Sequence, residues 1–319
     1  MRFVFLGTGT SSGVPAIGCD CAVCLSTDPR DQRLRTAAAI RWTDGRGTAR
    51  TLLIDAGPDL RQQALRAKLD RCDAVVFTHN HVDHTFGLDE VRRFNAVMRA
   101  PIDVYADAHT MEHLRRVYKH IFDRQANIND SFVATLIAHQ IEPARAIEVY
   151  GLRLTPIPLL HGKLPVLGYR IEAAEGENPS SATTAPHPPP LPAGEVSLAQ
   201  RVTEGDAATP ALKLLEGAAE GASEAGASSV FPLAYCTDVS GIPPESWGLL
   251  RGVKTLVLDA LRHRHHPTHF TLGQAVSVAH EIGAERTYFV HMAHDLGHEA
   301  TNRDLPEGMM LAHDGLELG

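Results

Sequence analysis

One short stretch contains four side chains that bind metal ions in other proteins. In T-H-N-H-V-D-H, residues 78–84, His79, His81, Asp83 and His84 directly follow the apolar run 74–77, which predicts a buried strand. His79 and His81 are two residues apart, so in extended backbone they point the same way and can hold one ion. Asp83 and His84 follow after a turn and can reach a second ion. Imidazole and carboxylate suit Zn, Mn and Fe, and paired ions are typical of phosphate ester hydrolysis.

A second group of candidate ligands lies near the N-terminus. Cys19, Cys21 and Cys24 fall within six positions, and thiolates in such a cluster favour a structural zinc ion. A tetrahedral site needs a fourth ligand, which must come from a distant segment. The alternative is three free thiols in a loop. The preceding glycine-rich stretch 7–13 lacks the lysine of a phosphate-binding P-loop and carries no assignment of its own.

Four predicted strands end in residues that can bind metal. The apolar runs before His79, His161, Asp238 and His291 all read as strands. If these strands lie side by side, their ends meet at one edge of a sheet, where a site can be assembled from distant segments.

Composition limits the function classes. The 319 residues are 44% hydrophobic and carry a formal charge of −8, which argues against a general nucleic-acid binder. The start of the chain resembles no signal peptide and no apolar run of about 18 residues exists, so we expect no membrane span and a cytoplasmic location.

We expect one domain over 1–319, interrupted by a disordered Pro/Ala/Gly/Glu-rich insertion at 174–229 with a short helix near 208–220. That insertion holds eight acidic and two basic residues.

Together these segments resemble the metallo-β-lactamase superfamily, in the branch of phosphoribosyl 1,2-cyclic phosphate phosphodiesterase (PhnP type), close to the tRNA 3′-processing endonucleases. The resemblance covers the chain outside the insertion and is carried by these segments: G-T-G-T-S-S-G-V-P at 7–15, G-C-D-C-A-V-C at 18–24, D-P-R at 28–30, T-H-N-H-V-D-H at 78–84, H-G at 161–162, Y-C-T-D at 235–238 and H-M-A-H at 291–294. It implies an α/β fold, a four-layer αββα sandwich with a dinuclear site at one edge.

The resemblance also implies the role of each site residue. The first catalytic divalent ion, Mn or Zn, would be held by His79, His81 and His161. The second would be held by Asp83, His84 and His291, with Asp238 bridging both. His294 would complete a Cys₃His site for one structural Zn with Cys19, Cys21 and Cys24.

His269 is the predicted proton donor. His269 and Asp83 are the two candidate catalytic residues. The resemblance implies that His269 protonates the leaving oxygen, a task that suits a near-neutral imidazole. The alternative for His269 is a structural role at the start of a helix. Asp59 and Asp89 are candidate partners of the metal-binding imidazoles. His263, His265 and His266 are interpreted as substrate-loop or surface residues rather than ligands.

The predicted activity is hydrolysis of a small cyclic phosphodiester. The candidate assembly is a homodimer. A tRNA 3′-endonuclease is the first alternative, disfavoured because the acidic insertion would repel RNA. A lactone, thioester or β-lactam hydrolase is the second, since one fold supports several chemistries. A non-enzymatic zinc-dependent binding protein is disfavoured by the full set of seven predicted catalytic-site ligands.

Overall fold

The computed structural model describes residues 1–126, 132–173 and 229–319. The predicted insertion at 174–229, with its short helix, therefore lies outside the described residues except for Ser229. Among the described residues no helix is long and apolar enough to cross a membrane.

In the part of the chain that the structure describes, two seven-stranded sheets form the centre of the fold. The first has the strand order β14-β1-β2-β3-β4-β5-β6, and the second the order β13-β12-β11-β10-β9-β8-β7. The strands are β1 (Arg2–Gly7), β2 (Ala37–Thr43), β3 (Ala49–Ile54), β4 (Ala74–Val76), β5 (Ile102–Ala106), β6 (Leu136–Gln140), β7 (Ile147–Val149), β8 (Leu152–His161), β9 (Leu164–Ala173), β10 (Leu233–Cys236), β11 (Thr255–Asp259), β12 (Arg286–Val290), β13 (Met309–Leu311) and β14 (Glu317–Leu318).

Helices lie on the outer face of each sheet. In the described residues they are α1 (Leu60–Arg66), α2 (Val82–Thr85), α3 (Arg92–Met98), α4 (Ala108–Val117), α5 (Lys119–Phe122), α6 (Trp247–Leu250), α7 (Leu272–Ile282) and α8 (His298–Asp304). Within the described ranges there are also 3₁₀ turns at Pro29–Asp31, Leu88–Val91, Arg124–Ala126 and Pro244–Ser246. Helix α1 ends at Arg66, and two residues later Lys68 adopts a left-handed φ of 50°.

Three apolar cores separate these layers, and the sequence alternation explains them. In β1, Phe3 and Phe5 pack into the core between the two sheets, whereas Val4 and Leu6 face the helices of the first sheet. A third core lies between the second sheet and its helices. Strands covered on both faces must be apolar at successive positions, as F-V-F-L at 3–6 is. The predicted four-layer αββα sandwich is confirmed.

The loop that follows β4 packs directly on the end of β3. Ala56 N–H donates to His84 O at 2.8 Å, and Gly87 N–H donates to Ala56 O at 2.8 Å. A Cβ atom on Gly57 would lie 2.0 Å from Asp83 O, so only glycine permits this approach.

Gly57→Ala should therefore destabilise the protein by about 1–3 kcal/mol, the usual cost of forcing extra volume into a packed interior. The matched control is Gly273→Ala in α7, where an added Cβ meets nothing within 4 Å. Urea denaturation of both variants measures the difference. Equal unfolding midpoints for the two would show that the loop shifts freely.

Candidate metal centre

The predicted ligands meet at a rim shared by both sheets. In the second sheet β8, β10, β11 and β12 run in the same direction, so their carboxyl ends lie at one edge. His161 ends β8, while Asp238 and His291 closely follow β10 and β12. His79 arrives from β4 of the opposite sheet. The expectation of a single sheet edge is therefore wrong for His79, because the rim joins two stacked sheets.

Hydrogen bonds join the two sheets close to this rim. The Tyr169 hydroxyl of β9 donates to Phe77 O at 2.6 Å, and Leu167 N–H donates to Thr78 O at 2.9 Å. Both acceptors belong to the segment that leads into His79. These two hydrogen bonds thus hold the two halves of the ligand set in register.

The side chains gather into overlapping groups whose donor atoms lie within 4.8 Å of one another. One group is His79, His81 and His161, and another is Asp83, His84 and His291. Asp238 belongs to two more groups, one with His79 and His84 and one with His161 and His269. Its Oδ2 atom lies 3.2 Å from His84 Nε2 and 3.2 Å from His291 Nδ1. The seven predicted ligands therefore lie close together. Asp238 groups with His79 of the first set and with His84 of the second.

Among the described residues, three buried ring nitrogens of this cluster have no partner in hydrogen-bond geometry: His79 Nε2, and His84 Nε2 and His291 Nδ1, whose nearest carboxylate atom is Asp238 Oδ2 at 3.2 Å. Unsatisfied buried polar atoms are rare in proteins, and each calls for an explanation. A divalent cation supplies the missing partner, and nitrogen and carboxylate donors suit Zn or Mn. The residues therefore fit the metal ions that the sequence predicted.

In His79, His84 and His161 the Nδ1 atom is hydrogen-bonded, which fixes how these rings face the cluster. His84 Nδ1 lies 2.7 Å from Asp55 Oδ2, His161 Nδ1 lies 2.7 Å from Thr268 O, and His79 Nδ1 lies 3.0 Å from the Thr78 hydroxyl. Such outer contacts set the tautomer and leave the opposite nitrogen free for a metal.

Asp55 and Asp259 are functional candidates that the sequence reasoning missed. Asp55 is fully buried beside His84, and Asp259 Oδ2 lies 2.8 Å from His269 Nδ1. The signal was present, because each is the acidic residue that closes an apolar run, in T-L-L-I-D and T-L-V-L-D.

The roles expected for Asp59 and Asp89 are wrong. Asp59 pairs with the Arg35 guanidinium at 2.9 Å, and Asp89 pairs with Arg92 at 2.6 Å. Asp89 also lies 3.6 Å from His120, which is not part of the cluster. Both residues lie several positions beyond the end of the preceding strand, where a helical segment begins. Their side chains therefore do not reach the rim.

Burial and nearby carboxylates shift the pKa values of the clustered histidines in opposite directions. Burial lowers the pKa of His79 well below its usual value, which keeps its Nε2 lone pair available. For His84 burial acts the same way, but the carboxylates of Asp238, Asp55 and Asp83 outweigh it and raise the pKa. This concentration of buried negative charge is what a divalent cation neutralises.

Three residues of the rim adopt a left-handed backbone conformation that is unfavourable for non-glycine residues. The φ angles are 65° at Asp55, 58° at Asp238 and 60° at His291. Each costs of order 1–3 kcal/mol and persists only where surrounding contacts impose it. The strand ends are thus bent to direct these side chains into the cluster.

The cysteine trio lies beside His294, as the resemblance implied. Cys19 Sγ and Cys21 Sγ each lie 3.3 Å from His294 Nδ1, and Cys24 completes the group. The hydrogen bond with His294 lowers the pKa of Cys21 to about 6, whereas burial raises the pKa of Cys24 to about 11. Three thiols and one imidazole at this spacing fit a tetrahedral zinc ion.

Comparisons with known proteins agree with this geometry. Residues 50–180 and 214–292 match the model of the β-lactamase superfamily domain. A solved structure described as a new diphosphatase from the PhnP family is 38% identical, with a TM-score of 0.73 over 100% of this chain and 97% of that one.

Two curated relatives extend the comparison. An octanoyltransferase of Porphyromonas gingivalis is 29% identical over 99% of this chain and 51% of its own length, so the chain spans about half of that relative. A ribonuclease BN of Cronobacter sakazakii is 26% identical over 96% of this chain and 94% of its own length.

Asp55→Asn should weaken metal binding by about 10- to 100-fold, because His84 loses the acceptor that holds its ring. Isothermal titration with Mn²⁺ and metal analysis of the purified protein measure the effect. Asp59→Asn is the matched control, since that carboxylate pairs with Arg35 outside the cluster. Unchanged affinity in Asp55→Asn would contradict the orienting role.

Cys21→Ser should remove about one equivalent of zinc and lower the melting temperature, because a hydroxyl is a poorer zinc ligand than a thiolate. Metal analysis and thermal unfolding give both quantities. Cys72→Ser controls for loss of a thiol elsewhere, since Cys72 is buried far along the chain from the trio. If Cys21→Ser lost the remaining ions as well, the two metal groups would not be separable.

Proposed function

The chain belongs to the β-lactamase superfamily and is a metal-dependent hydrolase, and from that premise we propose that it hydrolyses a small cyclic phosphodiester of the phosphoribosyl 1,2-cyclic phosphate type. The observation that carries the proposal is the His269–Asp259 pair. It stands within the ligand cluster, with the His269 ring centroid 4.5 Å from that of His161 and 4.8 Å from that of His291.

In this proposal, two divalent ions, Mn or Zn, occupy the cluster. His79, His81 and His161 hold the first, and Asp83, His84 and His291 hold the second. Asp238 would be a ligand shared by both, which the membership of its carboxylate in groups with His79 and His84 supports. The Cys19, Cys21, Cys24 and His294 group holds one structural zinc. When bound, the paired ions supply a nucleophilic water at neutral pH and neutralise charge on the phosphate.

His269 donates the proton to the departing oxygen. Burial opposes a charged imidazole, but the Asp259 carboxylate outweighs it and raises the pKa of His269. Asp259 Oδ2 accepts from His269 Nδ1 and from the Val239 backbone N–H at 2.7 Å. The ring is therefore fixed with Nε2 as the free donor. An alkoxide is a poor leaving group and needs such a proton, whereas a lactone or thioester gains less from it.

A diphosphate ester is the second candidate substrate. The similar PhnP-family structure is described as a diphosphatase and is 38% identical over the full chain. Such a substrate would use the same ions and the same proton donor. A nuclease activity is suggested by the ribonuclease BN relative. Against it stands the net charge of −8, which disfavours RNA.

We expect His269→Ala to lower kcat for a ribose cyclic phosphate by about 10²- to 10⁴-fold, the usual contribution of general acid catalysis. The same variant should lose far less with bis(p-nitrophenyl) phosphate, because nitrophenolate departs without a proton. Both rates are measured with Mn²⁺, alongside a diphosphate ester, a pre-tRNA and a lactone as competing substrates.

His263→Ala is the matched control, since that histidine is exposed on the same loop. Turnover by the wild-type protein of the lactone alone would refute the phosphodiesterase proposal. Equal losses with both phosphate esters in His269→Ala would instead assign His269 to metal binding.

A further inference from the structure

The glycine-rich stretch 7–13 lies against the segment that carries His291. Thr10 N–H donates to Met292 O at 3.0 Å, and Met292 N–H donates to Thr8 O at 3.0 Å. These bonds form a short parallel bridge between the two segments. The stretch therefore runs beside the backbone that leaves His291, although nearly the whole chain separates them in sequence.

Gly9 fixes the distance at which this stretch packs on the rest of the molecule. Its N–H donates to Leu34 O at 2.8 Å, and its carbonyl accepts from the Thr36 hydroxyl at 2.7 Å. A Cβ atom on Gly9 would lie 2.9 Å from Arg33 O, so this close packing requires glycine. The position of the next residue, Thr10, is thereby fixed from both sides.

The Thr10 side chain reaches the ring of His291. Its hydroxyl oxygen lies 3.3 Å from His291 Nε2, across 281 positions of the chain. In the part of the chain that the structure describes, no other hydrogen bond reaches this ring, and its Nδ1 atom faces Asp238 Oδ2 at 3.2 Å. A ring nitrogen that binds a cation needs its lone pair, so the proton of the neutral ring lies on Nε2. Nε2–H then donates to the Thr10 hydroxyl oxygen.

Stacking fixes the plane of the His291 ring but not which edge faces the cluster. The rings of His84 and His269 are nearly parallel to it, at 15° and 14°, with centroids 5.9 Å and 4.8 Å away. A half-turn about the Cβ–Cγ bond of His291 keeps both stacking contacts but exchanges each nitrogen with a carbon. That half-turn would place a carbon against the Thr10 hydroxyl. The hydrogen bond therefore selects the orientation in which Nδ1 faces Asp238.

We propose that Thr10 is a positioning residue for the second catalytic ion. Its hydroxyl accepts the hydrogen bond from His291 Nε2–H and so holds Nδ1 toward that ion. The inference rests on the proposed function, which assigns His291 to the second ion. The effect should be confined to that ion, because among the described residues no hydrogen bond joins the Thr10 side chain to a ligand of the first.

Thr10→Val removes the hydroxyl and keeps the shape of the side chain, so it should weaken one of two Mn²⁺ binding steps by about 10- to 100-fold, the usual effect of losing the outer partner of a metal-binding histidine. The other step should stay within about twofold. Calorimetric titration measures both steps in protein from which the catalytic ions have been removed by mild chelation. The step that His291→Ala abolishes identifies the second ion.

Two further variants separate the hydrogen bond from packing. Thr10→Ser keeps the hydroxyl and should retain both affinities, whereas Thr10→Ala, which introduces no new atoms, should behave like Thr10→Val. Ser12→Ala is the matched control in the same stretch, since that hydroxyl donates to Gly13 O. It should leave both steps unchanged.

A spectroscopic measurement reports on the ring itself. In Zn²⁺-loaded protein with ¹⁵N-labelled histidine, the Nε2–H proton of His291 should exchange slowly with solvent in the wild type and Thr10→Ser. In Thr10→Val it should exchange at least several-fold faster, because its acceptor is gone.

Unchanged affinity for both ions in Thr10→Val would overturn the inference while leaving the proposed function intact. Equal weakening of both ions, or an equal loss in Thr10→Ser, would also overturn it, because either result assigns Thr10 a purely structural role. Failure of the wild type to bind two Mn²⁺ ions, or to hydrolyse any phosphate ester with them, would instead count against the proposed function.

Discussion

The structure depends on keeping buried imidazoles and carboxylates close together at the rim between the two sheets. His79, His84, Asp238 and His291 are each at most 2% exposed. Removing such groups from water is expensive unless each has a partner. The outer hydrogen bonds satisfy one side of these rings, and the side facing the cluster needs cations. Metal binding and the stability of this rim are therefore coupled.

The αββα architecture supplies the stiffness that this arrangement requires. Strand ends from both sheets bend into left-handed conformations at Asp55, Asp238 and His291, and such strain persists only on a rigid support. Hydrogen bonds from Tyr169 and Leu167 to the segment before His79 hold the sheets in register. The donor atoms are thereby held on a rigid support, which reduces the cost of ordering them on binding.

The segment 291–294 connects the two groups of candidate ligands. His291 faces the buried cluster and His294 faces the cysteine trio, with only two residues between them. Met292 exchanges backbone hydrogen bonds of 3.0 Å with Thr8 and Thr10 of the glycine-rich stretch. That stretch, to which the sequence assigned no role of its own, connects the segment before the cysteine loop to the rim. Arg33, fully buried, adds contacts to the carbonyls of Ala293 and Leu296.

Local sequence determined the donor types, the strands that precede them and the two-residue spacing of His79 and His81, because alternation and apolar runs are properties of neighbouring residues. Family resemblance added the grouping of distant ligands. Only the tertiary structure decided that His79 comes from a different sheet than His161, and that Asp55 and Asp259, rather than Asp59 and Asp89, support the imidazoles. Those outcomes depend on which strands pair and how two sheets stack, and such contacts between residues far apart in the chain leave no periodic signal in either segment alone.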